Sequence, residues 1–182
     1  KKILLVLAFV ASMQVASAQN KSVAAAKAAA ESAQAAAENP KKATKQATWL
    51  KLGQSMLDAY NAPAGNGWLG ASEQELQLIM SGVKAKKTSK AEVMGNKMVV
   101  KSYDTMDYYF SEQGVLQMII ITKPIDDDAL ERALAAYDKA QELDVKGKKK
   151  KDITTAIETI GTKYMDEAFN AYQLGTNAKA SA

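Results

Sequence analysis

Residues 96–122 read NKMVVKSYDTMDYYFSEQGVLQMIIIT, and the fold turns on this stretch because the hydrophobic period changes here. β-Branched and aromatic residues gather in short runs bounded by Gly95-Asn96 and by Glu112-Gln113-Gly114, without the three-to-four spacing of a helix. The runs predict two or three antiparallel strands over about 97–103, 106–111 and 115–122. Ile119, Ile120 and Ile121 put apolar side chains on both faces of the last strand, which is then either covered on both sides or a patch for a partner. Tyr103, Tyr108, Tyr109 and Phe110 are candidates for a sugar or peptide platform. The plainer role for them is packing against neighbouring helices.

Outward from this stretch the signals are helical. Upstream, the polar, lysine-rich run over 84–90 reads as a loop, and Ser72 with Glu75 forms a capping box ahead of a short helix to about residue 81. Residues 61–67 are turn chemistry. A helix is expected over 41–60, where Trp49, Leu52, Met56 and Tyr60 recur at helical spacing and Gly53 marks a close approach of another helix. Asn39-Pro40 ends an alanine-rich helix over 21–38 and starts the next. Downstream, Asp126, Asp127, Asp128 and Glu131 open a helix to about residue 143, as a cap facing the helix dipole rather than as a metal site. Lys148 to Lys151 follow Gly147 as a solvated basic turn rather than a lipid or nucleic-acid contact, and a last helix is expected over 151–174, stopping at Gly175.

Composition narrows the chemistry. The 182 residues contain no cysteine and no histidine, which excludes thiol nucleophiles, Cys/His zinc sites and imidazole acid–base catalysis. Arg132 is the only arginine, so the net charge of +4 is a lysine charge and speaks for solubility more than for nucleic acid. No paired carboxylates fall on facing strand ends, so glycoside hydrolysis has no support. No enzyme activity, cofactor or metal is expected. Lys1 and Lys2, the apolar run from Ile3 to Val15 and the pattern Ala16-Ser17-Ala18 read as a secretory signal peptide, too short to span a bilayer and cut after Ala18.

Ala133, Tyr137, Ala140 and Val145 share the spacing of Ala28, Ser32, Ala35 and Pro40, and Trp49-x-x-Leu52-Gly53-x-x-Met56 supplies a large knob, a branched residue and a glycine notch. Together these resemble the tetratricopeptide repeat (TPR), whose pattern begins W-x2-L-G-x2-Y and continues A-x3-F before a proline. Met56 stands for the tyrosine, Ser32 for the first large residue and Val145 for the second proline. Ala133 follows Trp49 by far more than the family's spacing, so about 68 residues interrupt the hairpin, coincident with the strand segment. Ile157-x-x-Ile160-Gly161-x-x-Tyr164, or a register centred on Ala168 and Tyr172, is a candidate second helix of the first kind.

The plan as a whole resembles exported TPR proteins of Gram-negative bacteria. The resemblance implies a mainly α protein, TPR-like helical hairpins in an α-solenoid with a small antiparallel β-hairpin or meander insertion. The expected order is a signal peptide over 1–18, N-terminal helices with the first TPR-like helix over 19–61, an inserted module with β-strands over 62–125, and TPR-like helices with an incomplete last repeat over 126–182. The implied function is a non-enzymatic protein–protein interaction scaffold of the cell envelope, periplasmic or outer-membrane associated, with other envelope proteins as partners. Nucleic acid is not expected as a partner, nor a transmembrane span after signal cleavage. The alternative is an envelope ligand-binding module for glycan, peptide or lipid, between the β insertion and Trp68-Leu69. In the family the concave groove is lined by one face of each first helix, here Ala47, Leu50, Gln54 and Asp58. Leu50 and Gln54 replace the lysine and asparagine of the family's carboxylate clamp, so tail binding of that kind is not expected. Leu50, Gln54, Asp58, Tyr103, Tyr108, Tyr109 and Phe110 are the candidate protein-binding residues.

Overall fold

The computed structural model describes residues 21–80 and 82–180, so the expected signal peptide over 1–18 lies outside the described residues. The first helix, α1 (Val23–Glu38), starts at Ser22, whose hydroxyl accepts from the Ala25 N–H. It buries Ala26, Ala30, Ala33 and Ala37, a stripe of methyl groups that lets neighbouring helices come close. Asn39 then accepts from the N–H groups of Lys41 and Lys42 and opens α2 (Pro40–Ala43). The single helix expected over 41–60 is broken after this one turn. The Trp49 indole N–H donates to the Ala43 carbonyl at 2.7 Å, satisfying one of the carbonyls that the end of α2 leaves open. The chain restarts as α3 (Gln46–Asn61).

Helix α3 packs against α1 on one side and against α5 (Ala129–Glu142) on the other, and the start of α6 (Lys150–Ala180) closes the group. The core between them is built of alanines with a few large residues, namely Leu52, Met56, Leu57, Leu130, Tyr137, Ile153 and Ile160. Gly53 is the notch: a Cβ there would stand 2.7 Å from the Tyr137 ring. Of the aspartates before α5, Asp126 acts structurally, while the Asp128 side chain makes no cap hydrogen bond. The Asp126 carboxylate accepts from the Asp128 N–H at 3.0 Å and pairs with Arg132, whose other guanidinium nitrogen donates to Gln34 of α1 at 3.0 Å.

Between α3 and α5 the chain builds a second layer. Its helix α4 (Glu73–Ile79) begins with the capping box of Ser72 and Glu75. A meander of β1 (Lys87–Val93), β2 (Asn96–Ser102), β3 (Met106–Ser111) and β4 (Leu116–Ile121) follows, antiparallel throughout and in the order β1-β2-β3-β4. Strand β1 corrects the loop expected over 84–90. It is an edge strand whose lysines discourage further pairing, and only Ala91 and Val93 carry an apolar signal.

Register sorts the side chains. Met106, Tyr108, Phe110 and Leu116 face α4 and form a separate core with Ala71, Leu76 and Met80. Val93, Val100 and Met118 are buried on the opposite face. Helix α6 packs against β1, and its Asn170 amide donates to the Ile119 carbonyl of β4 at 3.4 Å, so α6 runs across the sheet and closes that face. With 31 residues it is about 46 Å long, enough to serve both layers. It passes through Gly175 rather than stopping there. Among the described residues no helix is long and apolar enough to cross a membrane.

The fold is therefore not the mainly α solenoid with a small β insertion that the sequence suggests. Six helices and a four-stranded antiparallel sheet, among the described residues, form a mixed α/β arrangement. The physical reason is that the sheet has its own core and a helix on each face, so it is a structural layer rather than an appendage. The repeat spacing also fails in register. Ala133, Tyr137 and Ala140 are buried, whereas Ala28, Ser32 and Ala35 are exposed, so the two sets do not occupy equivalent positions. Gly161 differs from Gly53 in the same way, with nothing within 4 Å of its would-be Cβ.

Candidate functional site

Leu50, Gln54 and Asp58 do share one stripe of α3. Leu50 packs on the helical core, the Gln54 amide donates to Asp58 at 2.9 Å, and Asp58 is paired with Lys21 at 2.6 Å. The polar members of this stripe are thus engaged within the chain. The four aromatics divide. Tyr108 and Phe110 are buried between α4 and the sheet, Tyr103 meets Tyr108 edge-on at 5.2 Å between ring centroids, and Tyr109 lies half-buried on the other face. The Tyr108 hydroxyl donates to the Ala64 carbonyl at 2.7 Å and accepts from the Gly67 N–H at 3.1 Å, tying the sheet to the turn after α3. Ile119, Ile120 and Ile121 are all half-buried, with Ile119 against the α4-side core.

Burial has a consequence for these phenols. Tyr108 is pushed up to about 12 by burial first and by neighbouring Tyr103, against the Gly67 N–H that favours ionisation, and Tyr137 is pushed up to about 12 by burial and then by the Asp58 carboxylate. Both folded values lie above the unfolded tyrosine value of about 10, so their stabilising effect is complete below pH 10 and is lost as pH rises through 12. Denaturation midpoints should be insensitive to these two groups below about pH 10 and fall above it, in step with tyrosinate absorbance. A midpoint that stays level through that window would refute the role given to burial.

Two further surfaces are open. Along α6, Tyr164 (42%), Met165 (74%), Phe169 (58%) and Tyr172 (60%) are exposed, and with Ala168 they follow one face of the helix. Contiguous apolar surface of this kind marks interaction sites in folded proteins. The second surface is a cleft of about 290 Å³ between α4 and strands β2 and β3, lined by Leu76, Met80, Val83, Tyr103 and Phe110 with Lys84 and Lys101 among its polar residues. Lys101 is paired with Glu73 and stands 5.7 Å from the Phe110 ring centroid. Trp68 and Leu69 are exposed but do not line it. A further cleft of about 370 Å³ beside α1 is lined by Glu31, Gln34, Glu38, Asp126 and Arg132. Its guanidinium is already held by Asp126 and Gln34.

Of the candidate residues singled out from the sequence, Tyr103 and Phe110 line the cleft and none lies on the α6 stripe. The α6 stripe was visible only in part, as Tyr164 in one helical register and Ala168 and Tyr172 in the alternative one. The cleft was hidden because Lys84 stands in a segment read as a loop and because only packing brings α4 beside Lys101 and Phe110. No protein-family model, no curated protein and no solved structure matches this chain.

Proposed function

We propose that this chain is a non-enzymatic protein–protein interaction scaffold of an exported, envelope-associated kind. The observation that carries the reading is the apolar stripe Tyr164, Met165, Phe169 and Tyr172, displayed on a helix held by the helical core at Ile153 and Ile160 and by β4 at Asn170. At about 150–250 Å² for each large side chain and roughly half exposure, the stripe offers on the order of 400 Å². That is well under the roughly 800 Å² per partner of a stable standard interface, and it suits a single amphipathic helix laid along α6. The lysine pair and apolar run at the N-terminus support export. A second reading, a ligand-binding module that uses the β layer, is favoured by the cleft beside α4.

The test is the double variant Met165→Glu, Phe169→Glu. Both side chains are exposed, so stability should stay within about 0.5 kcal/mol per site. Cross-linking in the envelope fraction should show partners of the parent protein that the variant loses. Unchanged cross-links would move the interaction surface away from α6, and a large drop in melting temperature would show that the stripe packs within the chain.

A further inference from the structure

We infer that the cleft between α4 and strands β2 and β3, with Val83 to Ala85 at its rim, binds an acidic peptide segment that carries one bulky apolar side chain. The inference rests on the scaffold reading and names a class of partner for it. Helix α4 has only seven residues, so it covers the β3–β4 part of its face and leaves the β1–β2 part open. On that open part register places Thr88 beside Lys101 and Lys90 beside Val99, with Phe110 next in line after Val99. The result is a shelf of lysines leading into an apolar recess. The recess, about 290 Å³, lies at the small end of the range for ligand pockets and suits a side chain rather than a large cofactor.

Charge points the same way. Residues 84–101 hold six lysines against Glu92 alone, a net of +5, while the whole chain carries +4. The rest of the protein is therefore slightly acidic, and the positive charge belongs to this hairpin. Of the lysines at the cleft, Lys101 is fixed by Glu73, whereas Lys84 is exposed. An acidic segment would meet Lys84 at the rim and Lys90 on the adjoining part of the same face, and seat its apolar side chain against Leu76, Met80 and Phe110. Excluding water from the recess strengthens the ion pairs at its mouth. A bare lysine face attracts any anion, and lysine lacks the fork that selects phosphate. The apolar floor is what favours a peptide over a nucleic acid.

The experiment is fluorescence anisotropy on the full chain with a short labelled peptide of aspartate and glutamate around one phenylalanine. Binding should saturate and should weaken as ionic strength rises. Exchanging the phenylalanine for serine, or the acidic residues for lysine, should each weaken it by about tenfold or more. Lys84→Glu and Val83→Asp, both at exposed rim positions, should do the same, and Lys150→Glu on α6 should not. Equal binding of the peptide without phenylalanine would reduce the site to unselective charge and overturn the inference. Indifference to Lys84→Glu, or binding of phosphatidylglycerol vesicles without binding of the peptide, would overturn it too. If the peptide fails while the α6 double variant still loses its partners, this inference falls and the scaffold reading stands. The reverse pattern would keep the cleft and remove the α6 surface.

Discussion

Tyr108→Ala is expected to destabilise the β layer by about 3 to 5 kcal/mol, the range for truncating a large buried aromatic. Tyr108 is fully buried, meets Tyr103 edge-on, and has Phe110 6.3 Å away on the same face. Its hydroxyl is the other half of the effect. Without it the Ala64 carbonyl and the Gly67 N–H lose a partner in a crowded turn, where a Cβ on Gly67 would stand 2.4 Å from that oxygen. Tyr108→Phe isolates this polar contribution and should cost about 1 to 3 kcal/mol, the cost of leaving such groups unsatisfied. Because the helical core shares no residue with the α4-side core, amide exchange should rise across β2, β3 and β4 while α3 and α5 stay protected. A uniform loss of protection would show that the two layers fold as one unit. No change in urea midpoint would remove Tyr108 as the anchor.

Gly53→Leu should have the comparable effect on the helical layer. The glycine lies against the Tyr137 ring, and its would-be Cβ meets three ring carbons at 2.7, 2.9 and 2.9 Å. Tyr137 is itself buried among Ala133, Ala136 and Ala140 and has nowhere to swing. Helices α3 and α5 must then separate, an overpacking that costs about 1 to 3 kcal/mol and occasionally more. Gly53→Ala is the sharper control. Alanine is better than glycine in a helix by about 1 kcal/mol, yet the contact with Tyr137 should reverse the sign. At Gly161, where nothing lies within 4 Å, the same substitution should raise the melting temperature. If Gly53→Ala and Gly161→Ala shift it alike, the close approach of α3 and α5 is not as described.

The chain by itself determined those elements whose signals are local. The capping box of Ser72 and Glu75, the Asn39-Pro40 junction and the strands now seen at Asn96–Ser102, Met106–Ser111 and Leu116–Ile121 each follow from short-range sterics and hydrogen bonding. Gly53 as a notch was legible because a glycine inside a helix carries a cost that a packing contact offsets. Strand β1 was not, since an edge strand made of lysine, threonine and serine gains its order from pairing with β2, for example Lys90 with Val99 and Ser89 with Val100. The break at Thr44 and Lys45 was hidden for a similar reason, because it depends on where the Trp49 indole finds a carbonyl.

Faces were the decisive unknown. Tyr108 and Tyr109 are adjacent and chemically alike, and only the α4 contact makes one a buried anchor and the other half-buried on the opposite side. The alanines of α1 illustrate the same point: Ala26, Ala30, Ala33 and Ala37 are buried while Ala28 and Ala35 face solvent, and the apparent repeat had chosen the exposed set. Local sequence sets which residues can form a helix or a strand. Which side of each element is covered depends on long-range packing, so the layering of sheet and helices, the exposed stripe on α6 and the lysine-rimmed cleft were decided only by the tertiary structure.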